Sequence, residues 1–159
     1  MTVRLLIEYA RKTRKKLFIL FIDFEKAYDK VDRAKLFELL KSAGCGKVML
    51  EILKAIYRNT RFLFKMVAIL SNMGVKQGSS ASSLLFTIYV DKMIRMVKAY
   101  EDDGFLGALH ILMLMDDTIL FASTKENLVK KFQICQDYCK DYGMSIKRNK
   151  NEIHGHKRS

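Results

Sequence analysis

The chain has 159 residues, half of them apolar, so it is long enough to bury a core and too apolar to be intrinsically disordered. Its 29 lysines and arginines exceed its 17 aspartates and glutamates by twelve, which favours a polyanionic partner: a nucleic acid or, less readily, an acidic membrane surface. The odd number of cysteines, three, argues against a disulfide framework, and the longest apolar run, residues 17–22, is too short to span a bilayer. We therefore expect an intracellular protein of the nucleus and/or cytoplasm, with no membrane partner.

Helical and strand patterns are mixed along the chain without strict alternation. In chain order, the predicted elements are a basic helix around 5–10, a strand at 17–22, helices at 34–42 and 48–57, a strand at 62–70, a long helix from 82 or 83 to 97, strands at 110–115 and 118–122, a helix at 125–140 and a possible short strand at 144–146. Asp32 and Thr124 are suitable caps for the helices that follow them. We predict one α+β domain, with a small antiparallel sheet and helices packed mainly on one face. A basic tail follows from about residue 147, and we expect it to be disordered around His154 and His156.

Two acidic positions are not explained by packing. Asp23 follows directly on the apolar strand 17–22, and Asp116 and Asp117 lie side by side between two apolar segments, as at the tip of a hairpin. Carboxylates at the ends of buried strands are costly unless a cation neutralises them, and Mg²⁺ prefers carboxylate, phosphate and water oxygens. Two such ions about 4 Å apart can activate a hydroxyl and stabilise the leaving oxygen of a phosphoryl transfer. However, an Asp-Asp pair is also ordinary turn chemistry and Asp23 could pair with a lysine, so spacing alone leaves both interpretations open.

These carboxylates lie in segments that resemble motifs of the reverse transcriptases, in particular those of non-LTR retrotransposons. Residues 21–32 (FIDFEKAYDKVD) resemble motif A, residues 74–86 (GVKQGSSASSLLF) motif B, residues 114–122 (LMDDTILFA) motif C, and residues 142–146 (YGMSI) with Lys150 motif D. The four motifs follow the family's order and cover nearly the whole chain. The resemblance therefore implies the palm, or catalytic core, of a reverse transcriptase, without most of the fingers and without the thumb.

The resemblance also implies catalytic and metal-binding residues. Asp23 and Asp116 would bind two Mg²⁺ or Mn²⁺ ions, with Asp117 beside them in support. Lys150 would act as the general acid that protonates the pyrophosphate leaving group. Because the tail around Lys150 is rich in basic residues, this lysine could equally be a solvated charge.

The nucleotide-binding positions that the resemblance implies are Phe24, Tyr28, Gln77 and Gly78. Tyr28 matches the aromatic gate that excludes a ribose 2′-hydroxyl, and Gln77 and Gly78 match the loop that lies against the incoming dNTP and the template. Taken alone, Tyr28 could be a half-buried aromatic at a strand–helix junction, and Gln77 could be part of an ordinary turn.

The chain departs from the family pattern at positions that bear on activity. Serines and an alanine at 79–83 stand where motif B usually has prolines and bulkier residues, and Leu114 replaces the aromatic of motif C that packs near the primer end. In motif D, Lys147 and Asn151 replace the usual Asn and Thr. Because phosphoryl transfer depends on accurate positioning, we expect the isolated chain to be weak or inactive as an enzyme.

Two functions therefore remain open. The first is addition of dNTPs to a primer 3′ end on an RNA or DNA template. The second is a decayed or domesticated palm that binds nucleic acid, metal or a second copy of itself without polymerase activity. In both, the residues expected to contact the nucleic-acid backbone are Arg11, Lys12, Arg14, Lys15 and Lys16, although a solvated basic run needs no function. Apolar palm surfaces also predict a homo-oligomer.

Overall fold

The computed structural model describes residues 3–58, 61–64, 67–70, 72–76, 78–100, 106, 109–147 and 154–155. Its elements are α1 (Val3–Lys12), β1 (Phe18–Asp23), α2 (Arg33–Ser42), α3 (Lys47–Arg58), β2 (Arg61–Phe64), β3 (Val67–Leu70), α4 (Ser80–Ala99), β4 (Ile111–Leu114), β5 (Asp117–Ala122), α5 (Lys125–Asp141) and β6 (His154–Gly155). The strands form a four-stranded antiparallel sheet in the order β4-β5-β1-β6 and a separate hairpin, β2-β3. The predicted α+β fold is confirmed. No helix in the described ranges is long and apolar enough to cross a membrane.

Side chains of β1 alternate between the two faces of the sheet, which differ in their cover. The even-numbered residues 20–24 are buried in the main core, together with residues of α2, α3, α4 and α5. On the opposite face, Ile19 is buried beneath α1 in a second, smaller core. Beyond α1 this second face is open: Phe21 is 50% exposed, and the next side chain on it belongs to Asp23. The helices therefore leave one end of the sheet accessible.

Helix caps position the elements that flank the sheet. The Asp32 side chain accepts hydrogen bonds from the backbone N–H groups of Ala34 and Lys35, and so starts α2. The Thr124 side chain, two residues after the end of β5, accepts from the N–H of Asn127 and so starts α5. Both caps were predicted from the sequence.

Three local predictions are wrong. In place of the single predicted strand 62–70, the structure has two paired strands, β2 and β3, because a short apolar run does not reveal where a chain reverses. Residues 144–146 contribute a single bridge, from Ile146 to Phe24, and no strand. The fourth strand of the sheet is β6, which pairs with Phe18 and Ile19 where a disordered tail is predicted.

Candidate active site

The register of the sheet brings the predicted carboxylates to one edge. Asp23, at the end of β1, lies directly opposite Asp117, the first residue of β5. Opposed residues of an antiparallel pair project from the same face, with Cβ atoms about 5 Å apart. Asp116 lies in the two-residue turn between β4 and β5, where Met115 has a φ of +57°. The predicted convergence of Asp23 with the acidic pair is present, with Asp117 and not Asp116 as its direct cross-strand partner.

The tip of the β4-β5 hairpin is unusually apolar for an exposed turn. Leu114 is 76% exposed and Met115 is 62% exposed, directly before the acidic pair. Phe21 is half exposed on the same sheet as Asp23. The carboxylates are therefore bordered by accessible apolar side chains, a surface that a flat apolar group can pack against.

Lys147 contacts Asp23 through both its backbone and its side chain. Its N–H donates to the Asp23 carbonyl oxygen at 2.8 Å, and its Nζ donates to Asp23 Oδ2 at 2.7 Å. The two side chains are 45% and 43% exposed. The hydrogen bond and charge of Asp23 raise the pKa of Lys147, and the charges of Asp116 and Glu25 raise it further. The sequence interpretation did not assign a role to Lys147, yet its ammonium lies in the field of two predicted metal ligands.

The segment that carries Lys147 is aligned with the end of β1. Ile146 forms an antiparallel bridge with Phe24, and the Glu25 N–H donates to the Ser145 carbonyl at 2.8 Å. Motif D therefore continues the sheet on the side of β1 away from β5. This placement sets Lys147 beside Asp23 while Asp117 lies on the other side.

Three tyrosines join motif A, α4 and motif D. The Tyr89 hydroxyl donates to the Tyr142 carbonyl at 2.6 Å and accepts from the Asp32 N–H at 3.2 Å. The Tyr138 hydroxyl donates to the Tyr89 carbonyl, and the Tyr138 ring stacks on Tyr142 with centroids 4.1 Å apart. Burial raises the pKa of Tyr89 to about 12, so its hydroxyl stays a donor at physiological pH. This cluster fixes the end of α5, from which motif D begins.

The start of motif B is docked on motif A through backbone hydrogen bonds. The Val75 N–H donates to the Tyr28 carbonyl at 2.9 Å, and the Gly74 N–H donates to the Val31 carbonyl at 2.8 Å. Gly74 has a φ of +82°, and a Cβ there would lie 3.1 Å from the Asp29 carbonyl oxygen. Glycine is therefore required by both conformation and space.

Arg33 fastens this loop from the other side, a role that the sequence interpretation missed. The residue is 6% exposed; its Nε donates to the Gly74 carbonyl at 2.7 Å and its Nη1 to the Tyr57 carbonyl at 2.9 Å. The guanidinium also lies 5.1 Å from the centroid of the Tyr57 ring. Burial lowers the pKa of Arg33, although an arginine stays charged at physiological pH. Motif B is thus tied to α2 and to the end of α3.

The predicted nucleotide-binding residues have different surroundings. Phe24 is 1% exposed in the main core, because alternation along β1 places its side chain on the helix-covered face. Its assignment to the nucleotide stays a prediction, which this burial does not favour. Tyr28 is half-buried, with its ring 4.9 Å from that of Phe86. Gly78 is exposed and has a φ of +82°. Gln77 lies outside the described residues.

The remaining predicted positions are the basic run and Lys150. Residues 11–16 are exposed, at the end of α1 and in the loop that leads to β1. Their contact with a nucleic-acid backbone stays a prediction. Lys150, the predicted general acid, lies outside the described residues.

The carboxylates at this edge of the sheet can be compared with the ligands that a metal ion requires. Among the residues that the structure describes, no group of three or more His, Cys, Asp or Glu side chains is placed to hold a metal. The predicted trio is therefore not a preassembled three-carboxylate cage. Mg²⁺, however, commonly uses one or two carboxylates completed by water and substrate phosphates. Asp23 with the neighbouring acidic pair fits that incomplete type of site, and a positive group already lies against Asp23.

Comparison with known proteins places the chain in a family. Residues 1–158 match the sequence profile of the family described as Reverse transcriptase (RNA-dependent DNA polymerase). The chain is 33% identical over 131 residues to the Pol polyprotein of the type-1 retrotransposable element R2 from Nasonia vitripennis, which covers 77% of this chain and 13% of that protein. The corresponding R2 polyprotein of Bradysia coprophila is 28% identical over 138 residues, which is 75% of this chain and 16% of that protein. This chain thus spans less than a fifth of the length of either relative.

A solved structure shows the same fold. The telomerase of Candida tropicalis, in complex with the TWJ fragment of telomeric RNA, superposes with a TM-score of 0.68 at 18% identity, over 97% of this chain and 29% of that one. The strand-end carboxylates and the order of motifs A to D agree with the profile match. The chain belongs to the reverse transcriptase family and has the fold of its palm.

Proposed function

We propose that this chain is the catalytic palm for template-directed addition of deoxynucleotides to a primer 3′ end by a two-metal mechanism. The observation that carries the proposal is the register of β1 and β5, which sets Asp23 opposite Asp117 with Asp116 on the adjoining turn. Membership of a family of RNA-dependent DNA polymerases, which generally use divalent metal ions, supports the reaction type.

The proposed roles are those that the resemblance to motifs A and C implies. Asp23 and Asp116 hold the divalent ions, and Asp117, opposite Asp23, supports them with its negative charge. Bound Mg²⁺ or Mn²⁺ supplies Lewis-acid activation of the primer hydroxyl and stabilises the leaving pyrophosphate. The chain itself positions these groups: the tyrosine cluster and Arg33 fix motifs B and D relative to the end of β1.

Charge and exposed apolar surface support a nucleic-acid template and primer as partners. The net charge is +12, and the exposed basic run 11–16 begins at the end of α1, the helix that borders the open face of the sheet. Leu114 and Met115 project beside the carboxylates, where a primer-terminal nucleotide can pack. The Candida tropicalis telomerase, whose fold this chain shares, was solved with an RNA fragment. In this proposal Tyr28 and Gly78 contact the incoming dNTP.

Primer extension tests the proposal. The chain is incubated with a labelled primer on RNA or DNA templates, dNTPs and Mg²⁺ or Mn²⁺, and compared with Asp116→Ala. Asp137→Ala is the matched control, because Asp137 is an exposed carboxylate on α5 that contacts Gln133. We expect at most weak extension from the isolated chain, which Asp116→Ala abolishes and Asp137→Ala retains. No product above the Asp116→Ala background rejects polymerase activity for this chain.

The alternative function is nucleic-acid binding without polymerisation. The exposed basic run and the pairing of Asp23 with Lys147 favour it, because an ion-paired Asp23 is less available to a metal. Binding driven by phosphate contacts weakens steeply between about 50 and 200 mM salt. A fluorescence titration with single-stranded RNA measures this slope, and undetectable binding at low salt eliminates the alternative.

Self-association is a further prediction that the surface supports. The residues that form an exposed apolar stripe on α3 are Val48, Met49, Ile52 and Ile56. Such a stripe on an outer helix favours contact with another apolar surface. A monomeric mass by light scattering at micromolar concentration contradicts the predicted homo-oligomer.

A further inference from the structure

The ion pair between Lys147 and Asp23 uses a proposed metal-ligand atom. Lys147 Nζ lies 2.7 Å from Asp23 Oδ2, the distance of a charge-assisted hydrogen bond. A Mg²⁺ ion bonds a carboxylate oxygen at about 2.0–2.1 Å, so an ion on Oδ2 would lie within a few ångströms of the ammonium. Two cations held that close on one carboxylate repel each other strongly.

The ammonium can leave while the rest of Lys147 stays in place. The backbone N–H of Lys147 is held by the Asp23 carbonyl at 2.8 Å, independently of the side chain. The Lys147 side chain is 45% exposed, so it can turn into solvent without disturbing the core. The charge beside Asp23 is therefore removable, whereas the position of motif D is not changed by its removal.

The neighbouring charges make Lys147 specific to this edge. Glu25, the next carboxylate along motif A, is engaged by Lys30 at 2.6 Å, which lowers the pKa of Glu25. Asp116 acts on Lys147 from the hairpin turn, on the other side of Asp23. Glu25 is thus paired with Lys30, whereas the ammonium of Lys147 is paired with Asp23 and lies within the electrostatic influence of Asp116.

We propose that Lys147 is a built-in competitor for the divalent metal: its ammonium occupies Asp23 and is displaced when the ion binds. This inference rests on the proposed two-metal function, which it deepens by adding a residue that sets the metal affinity. Lys147 neutralises Asp23 when the metal concentration is low. The chain therefore binds the metal only at concentrations high enough to displace the ammonium from Asp23. Lys147 is a regulatory residue in this scheme and takes no part in bond formation.

The test is the affinity of the full chain for Mn²⁺, measured by the loss of the electron paramagnetic resonance signal of the free ion. Lys147→Met removes the charge and keeps the chain length, and Lys147→Gln repeats the test with a second neutral side chain. We expect both to bind Mn²⁺ about tenfold more tightly than the unmodified chain, and Lys147→Arg to bind as the unmodified chain does. The difference in Mn²⁺ affinity between these neutral variants and the unmodified chain should become smaller at high salt, because the side chains of Lys147 and Asp23 are both partly exposed.

Two further variants separate the inference from the proposed function. Lys54→Met is the charge-matched control, because Lys54 pairs with Glu51 at 2.9 Å on α3. We expect this variant to bind Mn²⁺ with the affinity of the unmodified chain. Asp23→Asn weakens Mn²⁺ binding if Asp23 is a ligand. Equal binding by Asp23→Asn and the unmodified chain refutes the proposed metal site. Binding that depends on Asp23 but is the same in Lys147→Met and Lys147→Gln as in the unmodified chain refutes only the competition.

Discussion

Replacing Arg33 with Met removes the charged group that holds the start of motif B against α2 and α3. The guanidinium is buried and donates to the carbonyls of Gly74 and Tyr57. A hydrogen bond from a charged donor contributes about 1.5–3 kcal/mol, and leaving a buried carbonyl without a donor has a cost of its own. Relief from burying the charge offsets part of this loss. We therefore expect the free energy of unfolding to fall by about 2–4 kcal/mol.

Thermal unfolding followed by circular dichroism measures this loss. For a domain of this size each kcal/mol lowers Tm by about 2–4 °C, so Arg33→Met should lower Tm by roughly 5–15 °C. The control is Arg95→Met, which removes an arginine that is 79% exposed and paired with Asp91; it should cost less than about 1 kcal/mol. Arg33→Lys should fall between the two, because one ammonium does not reproduce the planar fork. Equal Tm values for Arg33→Met and Arg95→Met refute the reasoning.

Two other outcomes follow from local geometry. Gly74→Ala should lower the free energy of unfolding, measured by chemical denaturation, by about 1–3 kcal/mol, because it adds a Cβ at positive φ against the Asp29 backbone. The control Gly46→Ala should have a much smaller effect, because the space around that Cβ is open. Equal losses of stability in the two variants contradict the docking of motif B on motif A. Burial raises the pKa of both Cys135 and Cys139 to about 12, so at pH 8 they carry almost no thiolate, and iodoacetamide should modify only Cys45 until the chain unfolds. Rapid labelling of all three thiols in the native chain contradicts the burial of Cys135 and Cys139. As a control, Cys45→Ser should abolish labelling of the native chain.

The elements that the sequence predicted correctly are those whose signals are local. The Asp32 and Thr124 caps and the apolar strand before Asp23 each depend on neighbouring residues, and all three are present in the structure. The acidic pair was expected at a hairpin tip because two apolar runs flank it, and the β4-β5 turn lies there. Local patterns of this kind are sufficient to place the strand ends that carry the carboxylates.

The parts that were missed depend on contacts between distant segments. Lys147 is 124 positions from Asp23 in sequence, and the motif comparison showed only that a lysine replaced the usual residue. Arg33 links α3 to motif B because both segments pack next to it in the folded chain, and a short sequence pattern does not predict that packing. Phe24 was assigned to the nucleotide by the resemblance to the family, whereas alternation along β1 directs its side chain into the core.

The most direct measurement is a crystal structure of the chain soaked with Mn²⁺, with anomalous data collected at the manganese absorption edge. We predict an anomalous peak within coordination distance of carboxylate oxygens of both Asp23 and Asp116, with Lys147 Nζ no longer on Asp23 Oδ2. At saturating Mn²⁺, no peak at this edge of the sheet, with the Lys147–Asp23 ion pair intact, contradicts the claim that these carboxylates form the metal site of a polymerase.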